Sequence, residues 1–319
     1  MSSAASIERK TVDATALLVA PGVCLVLLLF LYPFLYGFVL SFSAHEGAGL
    51  RNYVKFFSTP FLSQTIATTL WISFPATVVN IGLALPIAFA TRRHRLQRLL
   101  TAILVVPITL GTVLIAEGLL LYLGPQGWLN RFLLVTHLST SAVHLTHNYW
   151  GVFLSLVVSG SPFAYLLLLS YLTGIDPVLP QAAATLGASL WRQFIHIYLP
   201  LLVPGLAIAF CLSFVQAFSV FPSAVLLGAP AGPTRVISIA AYQAAFEDYD
   251  YPMASAIAMI MAGVQLLVVV LILAVRVLFY RGPTDRNRPV ACPRLFWCRA
   301  FGAGTPKDKA INGQTPGVA

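Results

Sequence analysis

Charge is what this sequence has least of. Only 9% of its 319 residues are Asp, Glu, Lys or Arg, and only ten are acidic. Soluble domains carry about 25% charged residues. A chain that is 58% hydrophobic has too little polar surface to fold in water, which excludes a soluble globular domain. No glycine-rich loop ending in lysine is present to cradle phosphates, so the chain carries no ATP-hydrolysing motif of its own. Short strands of alternating polar and apolar residues are also missing, which excludes a membrane β-barrel. There is no internal repeat. Cysteines number four. Cys24 and Cys211 fall in apolar runs, where they act as small apolar residues. Cys292 and Cys298 match no zinc spacing.

What is present is long uncharged apolar sequence. Residues 14–44, 56–91 and 194–234 contain no Asp, Glu, Lys or Arg. A membrane span needs about 20 apolar residues at 1.5 Å rise each. Six spans are expected, at 15–41, 65–91, 99–122, 150–172, 201–227 and 254–280, giving an all-α polytopic membrane protein. The first span is too long for a signal-peptide core and reads as an uncleaved anchor.

Basic residues orient the spans. With a cytoplasmic N-terminus, the inner segments hold Arg9, Lys10, Arg92, Arg93, Arg95, Arg98, Arg192 and every basic residue from Arg276 onward. The outer loops hold only Arg51, Lys55, Arg131 and Arg235. Both termini are therefore expected in the cytoplasm. The net charge of +9 is a topology signal rather than a nucleic-acid surface. Residues 1–14 read as a short cytoplasmic segment, 15–280 as the transmembrane domain, and 281–319, rich in Pro, Gly and charge, as a disordered tail. The three outer loops carry aromatic and amphipathic pieces, read as short interfacial helices. Prolines recur inside the spans, at Pro21, Pro33, Pro75, Pro86, Pro107, Pro162 and Pro222, each favouring a kink.

The loop between the fourth and fifth spans, 173–200, is unusual. Asp176-Pro177 signals a turn, and Pro180 suits a first helical turn. Ala182, Ala183 and Ala184 allow close approach by another surface, and Gly187 ends or bends the helix. A small uncharged face on the cytoplasmic side calls for cover, and this chain has no cytoplasmic domain to supply it. The spacing predicts a docking knob for a separate partner.

This loop resembles the signature of permease subunits of binding-protein-dependent, type I ABC importers. That signature reads Glu-Ala-Ala, three residues, Gly, nine residues, Ile, one residue, Leu-Pro. Gln181, Ala182 and Ala183 stand at its start, Gly187 follows, and Ile197, Leu199 and Pro200 close it. Gln181 replaces the usual glutamate, which removes a charge from any contact made there. The resemblance implies a coupling helix seated in a groove of an ATP-binding subunit. It implies two such subunits that hold ATP and Mg, a second permease subunit, a periplasmic or lipoprotein solute-binding protein, and a place in the bacterial inner membrane. It implies no cofactor and no catalysis in this chain. The polyamine-type branch is the nearest in pattern, beside branches for iron, anions and phosphonates.

Intramembrane polar residues are the expected pathway residues. Glu117 is the only carboxylate inside a span, and Asn80, Gln216 and Gln265 join it, with helix–helix bonding as the alternative role. Phe214, Phe218 and Phe221 follow helical spacing and offer either a gate or packing. Glu247, Asp248 and Asp250 make an acidic outer stretch that would receive a binding protein or attract a cation. Two rival readings remain: a self-sufficient secondary transporter or channel, and a membrane enzyme using His137, His144 and His147. The first rival needs coupling-ion sites at the midplane. The second lacks an accompanying carboxylate.

Overall fold

The computed structural model describes residues 19, 21–43, 49–93, 95, 97–137 and 143–279. These lie almost wholly in one compact unit, Met1–Leu278. The expected cytoplasmic start, 1–14, and tail, 281–319, lie outside the described residues. Helices account for all regular structure among the described residues. Six are long and apolar enough to cross a membrane.

In chain order these are α1 (Pro21–Ser41), α2 (Arg51–Ser58), α3 (Pro60–Thr91), α4 (Gln97–Leu123), α5 (Trp128–Val135) and α6 (Tyr149–Thr173). They continue as α7 (Val178–Thr185), α8 (Leu190–Phe218), α9 (Pro222–Leu226), α10 (Ile237–Phe246) and α11 (Tyr251–Phe279). The spans are α1, α3, α4, α6, α8 and α11. The main core cluster is built from α3, α6 and α8, a second joins α8 to α2, α10 and α11, and α1 lies outside both along most of its length.

Apolar helices gain little hydrophobic energy from leaving lipid for one another, so close packing and hydrogen bonds hold them together. The core shows both. Ala76, Ala84, Ala88, Ala164, Ala209 and Ala217 are buried, which lets the helix backbones approach. Buried hydroxyls bond between helices. Thr91 Oγ1 lies 3.0 Å from Tyr165 Oη, and Ser155 Oγ lies 2.7 Å from Ser223 Oγ. Thr69 Oγ1 accepts the backbone N–H of Ile237 at 2.9 Å, which joins α3 to α10.

Four features depart from the expected spans. The fifth begins earlier and ends earlier than 201–227. It runs from Leu190 to Phe218, where Ser219 leaves the helical region and Pro222 starts the separate α9. Pro222 therefore opens a short helix instead of kinking a long one. The third span is broken at Gly111, with φ 75 and ψ 164, a backbone region open to glycine alone. Two π turns, Leu27–Leu31 and Phe194–Tyr198, end two residues before Pro33 and Pro200. A proline ring clashes with the carbonyl four residues back. The wider turn makes room for it, and the Leu199 N–H reaches back to the Phe194 carbonyl. Finally, α10 is not an interfacial helix. Ile237, Ile239, Ala240 and Ala244 are buried against two core clusters.

Candidate functional site

The loop after α6 folds as its sequence suggests. Asp176 Oδ1 accepts the Val178 N–H at 2.9 Å and starts α7. Gly187 ends it at φ 78. The Gly187 N–H bonds to the Ala184 carbonyl and the Ala188 N–H to the Ala183 carbonyl, each at 3.0 Å. This is the Schellman closure, whose left-handed residue is best filled by glycine. Ser189 then caps α8 through the Arg192 N–H, and Gln193 Nε2 donates to the Ala188 carbonyl at 2.9 Å. Buried Gln193 thus ties the loop to the span that follows.

Gln181, Ala182, Ala184 and Gly187 are exposed and Ala183 is half-buried. Val178, Leu179, Leu190 and Trp191 are exposed beside them, and Leu186 is 89% exposed. The knob therefore presents apolar side chains with no charge between Asp176 and Arg192. Ile197, Leu199 and Pro200 do not belong to this surface. They lie in α8, around the π turn that precedes Pro200.

An aromatic cluster, which the sequence did not reveal, joins the knob to α3. The Trp191 and Phe194 rings stack at 5.8 Å, Phe194 meets Phe89 at 4.6 Å, and Phe89 meets Tyr198 at 5.3 Å. The Arg92 guanidinium sits 3.4 Å from the Phe89 ring centre and 4.4 Å from that of Tyr198, and its Nη1 donates to the Phe89 carbonyl. In sequence Arg92 was only one of a basic group marking topology. Cation–π contacts contribute about 0.5–2 kcal/mol. Arg92→Ala should lower stability by roughly that amount, and thermal unfolding in detergent measures it. Arg92→Lys should recover only part, because an ammonium cannot lie flat on a ring.

The expected pathway residues separate. Asn80 and Gln216 line one cavity of about 60 Å³, together with Thr112, Ser159, Gly160, Ser213 and the 219–223 turn. This is room for one or two waters. Asn80 Nδ2 donates to the Leu156 carbonyl at 3.2 Å, while its buried Oδ1 and the buried Ser213 Oγ have no partner. Thr112, just past the Gly111 break, reaches the same space. Gln265 does not line it. Its Nε2 donates to the Val215 carbonyl at 3.2 Å and to Ser219 Oγ at 2.8 Å, which fastens α11 to the end of α8. Glu117 is exposed on α4 and lies off the lining.

Phe218 has no exposed surface to offer a pathway. It is fully buried with Phe56, Phe214, Ile237 and Ile257. Phe221 has left the helix and packs against Tyr242 at 5.0 Å, so the expected three-ring face does not form. In the acidic outer stretch, Asp250 caps α11 through the Met253 N–H and pairs with Lys55 at 3.9 Å. Among the described residues no group of three or more His, Cys, Asp or Glu is placed to hold a metal. The ring of His147 lies 3.4 Å from the Gly228 carbonyl instead.

Six membrane helices around a core of α3, α6 and α8, with a knob between the fourth and fifth spans, define the fold of a type I ABC importer permease. A solved bacterial ABC transporter "involved in the import of the acidic polysaccharide alginate" has a chain of this fold, with TM-score 0.72 and 23% identity, covering 86% of this chain and 99% of that one. Residues 80–281 match the family of binding-protein-dependent transport system inner membrane components. The chain belongs to that family and is a permease subunit of an ABC importer.

Its curated relatives differ in the solute they are named for. A probable sulfate transport system permease protein of Prototheca wickerhamii is 33% identical over 55% of this chain and 67% of its own length. A putative ferric transport system permease protein of Haemophilus influenzae is 26% identical over 78% of this chain, but over only 40% of its own length. A spermidine/putrescine transport system permease protein of the same organism is 28% identical over 62% of this chain and 72% of its own.

Proposed function

We propose that this chain passes a small solute delivered by an extracytoplasmic binding protein, driven by two ATP-binding subunits, one of them docked on the α7 knob. ATP and Mg belong to those subunits, and a second permease subunit completes the path. Both termini lie in the cytoplasm, on the side of the knob. The observation that carries this reading is the knob itself: an exposed alanine face flanked by Val178, Leu179, Leu186 and Trp191, uncharged, and anchored by Gln193 and the aromatic cluster to two spans. Such a surface is unfavourable in water unless covered. Affinity purification from the native membrane should bring down a nucleotide-hydrolysing subunit, and reconstituted uptake should stop without ATP. Uptake by the chain alone would support the secondary-transporter reading instead.

The cavity at Asn80 is the proposed narrow point of the path. Its unpartnered carbonyl oxygen accepts N–H or O–H donors, which suits a polyamine-like solute, although relatives are also named for sulfate and ferric iron. Titrating spermidine, sulfate and ferric citrate against the cognate binding protein decides among them. Ser213→Ala gives a separate test of the cavity. Removing a buried hydroxyl that lacks a partner should leave stability unchanged or raise it by about 1 kcal/mol. If solute passes there, the KM for uptake should shift several-fold in the same variant. Unchanged uptake kinetics would assign Ser213 to helix packing alone.

A further inference from the structure

At the end of the bundle opposite the knob, Arg235 lies in the loop between α9 and α10. Its guanidinium carbon sits 4.0 Å from the centre of the Phe61 ring, which places the group against the outer end of α3. Its Nε is buried and has no hydrogen-bond partner. Among the described residues no carboxylate lies within ion-pair distance of it. Asp250 is taken by Lys55. Glu247 and Asp248 act on Arg235 only through space. Burial pushes the guanidinium pKa below its ordinary value, and those two acids partly oppose this. Even so, arginine keeps its charge at any physiological pH.

A half-buried cation with no carboxylate in contact is costly, and this one borders an open cavity of about 280 Å³ shared with Phe61, Gln64 and Gly232. The chemistry of the lining narrows what could settle there. Thr65 and Thr68 also border the space, but their hydroxyls already donate to the carbonyls of Leu62 and Gln64. The side-chain donors left are the guanidinium fork and the exposed Gln64 amide. One planar fork beside one amide matches a single compact oxyanion, which a guanidinium binds with two parallel hydrogen bonds.

We propose that the Arg235 cavity is a binding site for one tetrahedral oxyanion, a sulfate or phosphate group, at the outer mouth of the permease. Its outward placement rests on the orientation proposed above; its chemistry does not. The group has two sources, a free anion or the phosphate of an outer-leaflet lipid. Trp71 lines an adjoining cavity that shares Thr68 and Pro233 with this one, which makes it a natural fluorescent reporter.

The test uses the purified full chain in neutral detergent, titrated with sodium sulfate against sodium chloride at matched ionic strength. Saturable sulfate binding is expected by calorimetry or tryptophan fluorescence. It should weaken at least tenfold in Arg235→Gln and less in Arg235→Lys. Gln64→Leu, which leaves the cation in place, should weaken it a few-fold. In the second arm the chain is placed in nanodiscs of phosphatidylcholine with or without phosphatidylglycerol. A lipid source predicts that phosphatidylglycerol displaces sulfate from the wild type and not from Arg235→Gln. A free-anion source predicts equal sulfate binding in both discs. Either pattern upholds the site. It is overturned if sulfate shows no saturable binding and phosphatidylglycerol no Arg235-dependent retention. It is equally overturned if Arg235→Lys and Gln64→Leu, with unchanged melting temperatures, bind both probes like the wild type.

Discussion

Ala183→Arg or Gly187→Asp should reduce ATP-driven uptake to a few per cent of wild type while the protein still inserts and folds. The expectation follows from where these residues stand. Ala183 is half-buried at the end of α7 and its carbonyl closes the Schellman turn. An arginine there places a long cation on a face that is otherwise uncharged. A side chain at Gly187 would meet nothing of this chain within 4 Å, so any collision must be with a docked partner. The one internal cost is the positive φ, about 1–2 kcal/mol for a residue with a Cβ. Gly187→Ala carries that same cost and little bulk. It should fold nearly as well and retain most uptake, which separates backbone strain from lost docking. The measurement is solute uptake in vesicles beside co-purification of the ATP-binding subunit. Full uptake with Ala183→Arg would remove the knob from the mechanism.

Gly151→Val should be strongly damaging to folding. A Cβ at Gly151 would lie 2.5 Å from the Leu145 carbonyl oxygen and 2.9 Å from that of Leu227. Both are backbone atoms, so no rotamer change relieves the clash. The clash falls at the helix cap, where the Gly151 backbone N–H donates to Asn148 Oδ1 at 3.1 Å. Overpacking commonly costs 1–3 kcal/mol, and a backbone clash at the start of a core span belongs at or above the top of that range. A fall of roughly 10 °C in apparent Tm, or loss of the folded protein from detergent extracts, is expected. Gly263→Ala provides the contrast. Nothing lies within 4 Å of a Cβ there, and alanine in a helix interior is favoured over glycine by about 1 kcal/mol. If the two variants melt alike, the close approach at Gly151 is not what holds this end of α6.

The two positions differ in how visible they are from sequence. Gly187 announces itself, because a glycine after three alanines and before a serine-capped helix can only be a helix stop. Gly151 does not, because the backbone it touches comes from Leu145, before the span, and from Leu227, 76 residues later. The same contrast runs through the candidate pathway. Asn80 and Gln216 stood out as polar residues in apolar runs, and both reach the cavity. Glu117 and Phe218 stood out equally, and neither does. Polarity and spacing identify an unusual residue but not the side of the helix that faces the neighbours. Phe221 shows the limit most clearly. Its helical spacing from Phe214 and Phe218 held only while the helix was assumed to continue past Ser219.

By itself the sequence determined that this chain lives in a bilayer, how many times it crosses, and that an uncharged alanine knob interrupts it before the fifth span. Those properties follow from local composition and length, which the solvent reads residue by residue. Only the tertiary structure decided which polar groups meet, that Gly111 breaks α4, that α10 is buried, and that Arg235 stands beside Phe61 with no carboxylate in contact. These depend on contacts between segments far apart in the chain, and within lipid every long apolar helix looks alike until its neighbours are in place.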